Sequence, residues 1–302
     1  MCRPPIALFV YNRPRHTRQT VVALSKNEGS AESELFIYSD GPRKPGDEGA
    51  ILEVREYLLS VDGFKSVTIV ERDRNLGLAC SIITGVTEML ERFEKVIVLE
   101  DDMVTSPYFL RFMNDALRNY ADDDHVGSIQ GYQLPLGVTL QETYFLRYVG
   151  CWGWGTWRRA WELFEPDGRR LIEKFQSKKE RLEFDVDGSY PFFEMLERQS
   201  AGELDSWAIR WHASLFLAEK LSLYPSRSLV CNTGHDGSGV HCNCSSHFEV
   251  LLADMPVPVG HEKPIESSDA LKALTNYFRT IHRGLIKQIV QTARQLFHKM
   301  GF

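Results

Sequence analysis

Residues 96–102 read VIVLEDD, four apolar residues followed directly by three acids. A short apolar run of this kind is typical of a buried strand, and the change to acids marks the end of the strand. Three consecutive carboxylates are costly beside a buried strand unless they face water, a cation or hydrogen-bond donors. Glu100, Asp101 and Asp102 therefore predict a polar site at this strand end.

The sequence around this run alternates between strand-like and helix-like segments. Strands are predicted at 6–10, 35–39 and 67–70 upstream, each followed by a polar turn and a helical pattern, and at 126–130 and 144–148 downstream. This alternation predicts an α/β fold, with a mostly parallel central sheet flanked by helices. Ligands collect at the carboxyl ends of such strands, so we expect the turns after the first four strands to converge on one rim.

The helix that follows the acids is expected to begin at Pro107, with Ser106 as its N-cap. Three further helices are predicted over 169–178, 190–198 and 205–220.

Composition limits the class of protein. The chain has 302 residues, which suffices for one large domain with or without an appendage. Its formal net charge of -6 argues against nucleic-acid binding, since phosphate neutralisation needs a basic face. No stretch approaches the roughly 20 apolar residues of a membrane span, and the N-terminus lacks a signal-peptide pattern. We therefore expect a cytoplasmic protein with reduced cysteines.

A hard divalent cation would suit the three acids. Mg²⁺ or Mn²⁺ takes oxygen ligands, typically one or two carboxylates with substrate phosphates and water. Such an ion would hold a diphosphate and neutralise its charge as it leaves, and Asp102 is the predicted ligand. The alternative is a solvated loop whose acids interact with the dipole of the following helix.

The acid run, followed by SPYF at 106–109, resembles the metal-site segment of GT-A fold glycosyltransferases. The likeness is strongest to the N-acetylglucosaminyltransferase that initiates the hybrid and complex branches of N-glycans, and to its bacterial relatives. This resemblance implies a GT-A-like fold and a nucleotide-sugar donor. It also implies that Asp102 ligates the metal, while Glu100 and Asp101 contact the donor sugar and the ribose.

Three other segments extend the likeness over roughly residues 6–245. They are YNRP at 11–14, SDG at 39–41 and NLG at 75–77, which resemble nucleotide-contacting turns of the family. A polar strand-end turn is commonplace, so it is the order and spacing of the three that carry the likeness. A UDP-linked donor is implied, with contacts from Asn12, Arg13, Asp40, Asn75 and Gly77.

The acceptor side is marked by LDSW at 204–207, which resembles the Asp-Asp-Trp segment of the family. The resemblance implies that Asp205 is the base of an inverting transfer. The competing interpretation is that Asp205 caps the following helix. GW at 153–154 is similar to the sugar-pocket segment of the family, which implies that Trp154 contacts the donor. The neighbouring Trp152, Trp157 and Trp161 are expected to be core residues.

Residues 232–246 are rich in Gly, His, Cys and Ser and resemble a family segment that closes over the donor. The resemblance implies a donor contact from Ser238 and a further metal ligand at His241. Zinc is an alternative for this segment, but the crowding of His241, Cys242 and Cys244 does not match the usual ligand spacings.

The expected glycosyltransferase domain covers 1–265, with a nucleotide-binding half at 1–130 and an acceptor half at 131–265. Beyond it, 266–302 forms a basic tail with apolar residues at helical spacing. Such a helix either lies on an anionic membrane at its inner face, beside a lipid-linked acceptor, or docks on the domain or on a second subunit.

These observations predict metal-dependent, inverting transfer of a sugar, GlcNAc by likeness, to a saccharide or lipid-linked hydroxyl in glycan, polysaccharide or glycolipid synthesis. Two alternatives stay open. One is a sugar-phosphate nucleotidyltransferase, although the first turn, at 12–14, lacks the glycines of its phosphate loop. The other is a non-catalytic carbohydrate-binding or scaffold protein of the same fold.

Overall fold

The computed structural model describes residues 3–236 and 246–281. Within these residues the strands are β1 (Ile6–Val10), β2 (Glu34–Ser39), β3 (Ser66–Glu71), β4 (Lys95–Glu100), β5 (Met103–Thr105), β6 (Val126–Gln130), β7 (Thr143–Leu146), β8 (Trp154–Trp157), β9 (Leu221–Pro225) and β10 (Val230–Asn232). The α-helices there are α1 (Pro14–Ser25), α2 (Glu48–Leu58), α3 (Leu78–Arg92), α4 (Phe109–Asn119), α5 (Arg158–Trp161), α6 (Gly168–Lys174), α7 (Lys178–Phe184), α8 (Phe192–Ser200), α9 (Trp207–Leu217) and α10 (268–281).

The central sheet has the strand order β3-β2-β1-β4-β8-β6-β9-β7. Strands β3, β2, β1 and β4 run parallel to one another. β8 runs antiparallel to both β4 and β6, β9 is parallel to β6, and β7 is antiparallel to β9 at the edge. The predicted α/β class is confirmed. The carboxyl ends of the first four strands and of β6 lie on the same side of the sheet.

Both faces of the sheet are buried, which explains the continuous apolar runs in the sequence. In β1, the side chains of Ile6, Leu8 and Val10 enter one core together with apolar residues of α1, α2 and α4. Ala7 and Phe9 enter the other core, with residues of α3 and α9. Successive residues of a strand point to opposite faces, so helices on both sides cover the whole strand.

The segment after the acids differs from the sequence prediction. Met103–Thr105 continues as β5 and pairs antiparallel with β10. Ser106 is not the N-cap, because that position falls to Tyr108; the Ser106 hydroxyl donates to the carbonyl of Ala253 at 2.7 Å and accepts the N–H of Tyr108 at 3.3 Å. The helix begins at Phe109, two residues later than predicted.

The first half of the predicted tail packs on the domain. In α10, Ala270, Leu274, Phe278 and Ile281 are buried, at spacings of three and four residues. Phe278 contacts three aromatic rings of the domain, so the apolar face of this helix is covered. Residues 282–302, the rest of the predicted tail, lie outside the described residues. Among the helices described, none has the length and apolar character of a transmembrane span.

Candidate functional site

The turns after β2 and β3 are tied together by side chains at the rim of the sheet. The Asp40 carboxylate accepts hydrogen bonds from the backbone N–H groups of Leu76 at 3.0 Å and Gly77 at 3.2 Å. The Asn75 amide donates to the carbonyl of Gly41 at 2.9 Å. Gly77 has a φ of 77°, a conformation that favours glycine. These contacts confine the first turn of α3 to the rim.

The turn after β1 is tied to the segment that precedes α2. The Tyr11 hydroxyl donates to the Asp47 carboxylate at 2.7 Å, and the Asn12 amide donates at 3.3 Å. Burial raises the pKa of Tyr11 to about 12, and Asp47 acts in the same direction. Asn12, Asp40 and Asn75 thus shape the rim. Their predicted contacts with a nucleotide stay predictions.

The acids after β4 lie against the N-terminal turn of α1. The guanidinium of Arg13 contacts the Asp101 carboxylate and lies 2.8 Å from Oδ2 of Asp102. The Thr20 hydroxyl donates to the Asp101 carbonyl at 2.8 Å. Asp101 and Asp102 are 3% and 5% exposed. A buried negative cluster therefore faces a guanidinium and the positive end of a helix.

Arg13 only partly offsets the repulsion between the acids of the cluster. Burial raises the pKa of Glu100 to about 8, and the charges of Asp102 and Asp101 act in the same direction. Burial also raises the pKa of Asp101, although Arg13 opposes this shift. Burial disfavours the charge of Arg13 itself, but the two aspartates outweigh burial and raise its pKa. With only one guanidinium nearby, burial and mutual repulsion therefore disfavour the ionised acids, and a bound cation would offset that repulsion.

Asp102 is the acid best placed to bind such a cation. Its Oδ1 atom is buried and has no hydrogen-bond partner in the part of the chain that the structure describes. Buried oxygens are nearly always paired, so this one calls for a ligand. The Thr233 N–H donates to the Asp102 carbonyl at 2.8 Å. Gly234 follows so closely that a Cβ there would lie 2.1 Å from Oδ2 of Asp102.

A self-contained metal site is absent from residues 3–236 and 246–281, where no three His, Cys, Asp or Glu side chains are grouped to hold an ion. Mn²⁺ or Mg²⁺ fits the donors that are present, because these ions commonly use one or two carboxylates and complete their shell with phosphates and water. The unpaired Oδ1 of Asp102 and the mutual repulsion of the acids both favour an ion here. The predicted contacts at Ser238 and His241 lie outside the described residues.

Two residues near the acids, His16 and Thr233, carry no signal in the sequence. His16, in the first turn of α1, has its Nε2 atom 3.1 Å from the Asp236 carboxylate. Thr233 reaches the carbonyl of Asp102 because β10 pairs with β5. Neither residue belongs to a recognisable motif. Thr233 is placed by a strand pairing between distant segments, whereas His16 is placed by α1.

Asp205 lies at the same rim as an exposed carboxylate. Its Oδ2 atom is 3.8 Å from the position that a Cβ on Gly77 would take, and the side chain is 68% exposed. The nearest guanidinium nitrogen, Nη2 of Arg210, is 4.0 Å away. Ser206 caps α9, because its hydroxyl accepts the N–H of Ile209. The competing capping role therefore does not fall to Asp205.

Trp154 is a core residue, and this corrects the predicted contact with the donor. Its side chain is 1% exposed and stacks on Trp207 at 5.2 Å between ring centroids. Trp161 and Trp211 pack against it as well. Because residues of α9 cover this face of the sheet, the ring is enclosed and offers no surface to a sugar. Trp152, two residues earlier, is partly exposed.

No protein-family model and no curated protein matches this sequence. Among solved structures, the mannosyltransferase PcManGT from Pyrobaculum calidifontis, in complex with GDP-Man and Mn²⁺, is similar over 72% of this chain and 75% of that chain, with 12% identity and a TM-score of 0.37. TarS 1-349 of S. aureus is similar over 71% of this chain and 70% of that chain, with 14% identity and a TM-score of 0.37. Both similarities are distant, so the chemistry of the site is inferred from its own residues.

Proposed function

We propose that this protein is a metal-dependent glycosyltransferase that moves a sugar from a nucleotide sugar to a hydroxyl acceptor. The observation that carries the proposal is the acid cluster at Glu100, Asp101 and Asp102, where a buried oxygen of Asp102 is unpaired within the described residues and burial and mutual repulsion raise the pKa values of Glu100 and Asp101. A divalent cation together with a diphosphate has the charge and the oxygen chemistry to complete such a cluster.

The donor side of the proposal assigns a task to each acid. Mn²⁺ or Mg²⁺ held by Asp102 would neutralise the charge that develops on the departing diphosphate. Arg13 keeps the Asp102 side chain in place from 2.8 Å away. Glu100 and Asp101 accept hydrogen bonds from hydroxyl groups of the donor, which we take to be UDP-linked and to carry an N-acetylhexosamine such as GlcNAc.

The acceptor side depends on Asp205. Its exposed carboxylate takes the proton of the acceptor hydroxyl while the hydroxyl oxygen forms a bond to the anomeric carbon. The diphosphate leaves from the opposite face, so the configuration at that carbon inverts. The acceptor is a saccharide or a lipid-linked sugar, in the synthesis of a glycan, polysaccharide or glycolipid.

Nucleotide release tests this function. The protein is incubated with a panel of nucleotide sugars and saccharide acceptors in the presence of Mn²⁺, Mg²⁺ or a chelator. A glycosyltransferase liberates nucleoside diphosphate only when the metal is present. A nucleotidyltransferase would instead liberate pyrophosphate from a nucleoside triphosphate, and a carbohydrate-binding scaffold would liberate neither. Failure of every donor to yield nucleoside diphosphate with either metal would overturn the proposal.

Asp102→Asn tests the metal site directly. The amide keeps the shape of the side chain but removes its charge, so we expect affinity for the donor with Mn²⁺, measured by calorimetry, to fall at least about 100-fold. Asp124→Asn is the matched control, because the Asp124 side chain is 85% exposed and lies outside the cluster. Unchanged metal-dependent binding in Asp102→Asn would place the ion at another residue.

A further inference from the structure

Trp152 differs from its neighbours in the Gly- and Trp-rich segment. Trp154, Trp157 and Trp161 are 1%, 3% and 7% exposed, whereas Trp152 is partly exposed. The sequence predicts all of them except Trp154 to be core residues. A large aromatic ring left at the surface, beside polar groups, is an informative departure from that pattern.

The side chain of Trp152 lies on the opposite face of the sheet from that of Trp154. The pairing of β4 with β8 ends at Val98 and Trp154, and Gly153 just before it has a φ of 64°. Trp154 belongs to the core shared with residues of α3 and α9, whereas Trp152 packs against the core shared with residues of α1 and α4. Gly153 lies close to the end of β4, because a Cβ there would be 3.3 Å from the side chain of Leu99.

Three rings from other segments hold the indole of Trp152. Its centroid is 4.7 Å from that of Tyr132, 5.3 Å from that of His235 and 5.4 Å from that of Phe248, with interplanar angles of 75°, 72° and 89°. The Tyr132 hydroxyl donates to the carbonyl of Phe248 at 2.8 Å, and His235 stacks on Phe248 at 5.1 Å. Contacts close to perpendicular on several sides fix the orientation of an aromatic ring.

The same rings are joined to the metal-binding part of the site. His235 directly follows Gly234, whose Cα lies against the carboxylate of Asp102. One end of the aromatic group therefore adjoins the expected diphosphate position. A ligand that reaches from Asp102 past Gly234 meets these rings.

We propose that Trp152, held by Tyr132, His235 and Phe248, is a stacking platform for a pyranose ring. This inference rests on the proposed function and adds the residue that binds the sugar. A pyranose presents a face of C–H groups that packs on an indole and an edge of hydroxyl groups that need acceptors. Trp152 supplies the first contact.

The platform is tested by Trp152→Leu with Trp152→Phe as the conservative variant. Loss of the ring is expected to raise one KM about tenfold, the equivalent of one stacking contact, while Trp152→Phe restores most of the affinity. A higher KM for the nucleotide sugar, with unchanged affinity for the free nucleoside diphosphate, assigns the platform to the donor sugar. A higher KM for the acceptor alone assigns it to the acceptor sugar. Unchanged values for both substrates overturn the inference.

A second measurement does not depend on turnover or on a stable leucine variant. The protein is labelled with 5-fluorotryptophan, and the ¹⁹F signal that disappears in Trp152→Phe is assigned to Trp152. Titration of the wild-type protein with methyl glycosides or with the acceptor saccharide is expected to shift this signal more than that of the buried Trp154. If the Trp152 signal does not shift in a protein that releases nucleotide, the platform is wrong and the proposed transferase activity stands. If the Trp152 signal shifts but no nucleotide is released, the platform stands and the proposed transferase activity is wrong.

Discussion

The carboxylate of Asp102 meets two environments. Oδ2 lies beside Arg13 and Gly234, whereas Oδ1 is buried without a partner within the described residues. An unpaired buried acceptor costs about 1 to 3 kcal/mol, so this arrangement lowers the stability of the protein itself. Buried unpaired groups occur mainly where a ligand binds them in the functional state. The unpaired Oδ1 atom is therefore stronger support for a ligand site than the acidity of the segment.

Asp205→Asn separates the acceptor side from the donor side. Because the amide cannot take a proton, we expect kcat for transfer to fall about 100- to 10,000-fold. The affinity for the donor with Mn²⁺ should be unchanged, since the side chain is exposed and no residue of the acid cluster contacts it among those described. Steady-state transfer assays and calorimetry give the two quantities.

Ser206→Ala is the control for that experiment. It removes the helix cap next to the proposed base and should cost about 1 kcal/mol of unfolding free energy with near-normal transfer. If Asp205→Asn transfers sugar at the wild-type rate, another group acts as the base. The sequence left the base and cap roles of Asp205 open, because the first residue of the helix, Trp207, is set by packing in the aromatic core.

At the scale of elements, α9 carries a pH-dependent contribution to stability. His212 is buried among aromatic rings, with Phe184 stacked at 4.5 Å, and burial lowers the pKa of His212 to about 3. The folded protein therefore disfavours the protonated ring. This contribution is complete above the ordinary pKa near 6.5 and is lost as the pH falls from there towards 3.

His212→Leu should reduce this acid sensitivity. Between pH 7 and pH 4, we expect the unfolding free energy of the variant to fall less than that of the wild-type protein, by up to about 3 kcal/mol. Urea denaturation at a series of pH values measures it. The exposed His125 supplies the comparison, and His125→Leu should follow the wild-type curve. If the unfolding free energies of His212→Leu and the wild-type protein change with pH in parallel, His212 is not the source of the acid sensitivity.

Elements with strong local patterns were predictable and elements made by distant pairing were not. β1 and β6 have the predicted limits, and β1 is an uninterrupted apolar run that ends at turn residues. β8 reads WGTW and looks like a loop in sequence, and it forms a strand only because β4 and β6 flank it. β10 is likewise defined by its partner β5, which also delays the start of α4.

For the whole molecule, the docking of α10 is open to measurement. Phe278 is 3% exposed and its ring lies 5.0 Å from that of Tyr190. Phe278→Ala should lower the unfolding free energy by about 3 to 5 kcal/mol, because the lost contacts leave a cavity. Arg279→Ala, at the exposed neighbouring position, should change it by less than about 0.5 kcal/mol. A loss of similar size in both variants would contradict a docked helix.

The sequence predicted those parts of the candidate site that depend only on the order and direction of the strands. Parallel strands end on one side of a sheet, so the convergence of Arg13 and Asp102 was predictable from the order of strands and turns. The approach of Thr233 was not, because it depends on the β5–β10 pairing. The burial of Trp154 and the partial exposure of Trp152 were not predictable either, because they depend on how distant segments such as α9 pack on the sheet.

The bracing of the two turns by Asp40 and Asn75 bears on protein engineering. Each side chain forms a hydrogen bond with the main chain of the other turn, so each links the two loops. Substituting one of them alone would loosen both loops at once. A variant library at this rim should therefore randomise 39–41 and 75–77 jointly, so that the two turns can regain compatible contacts.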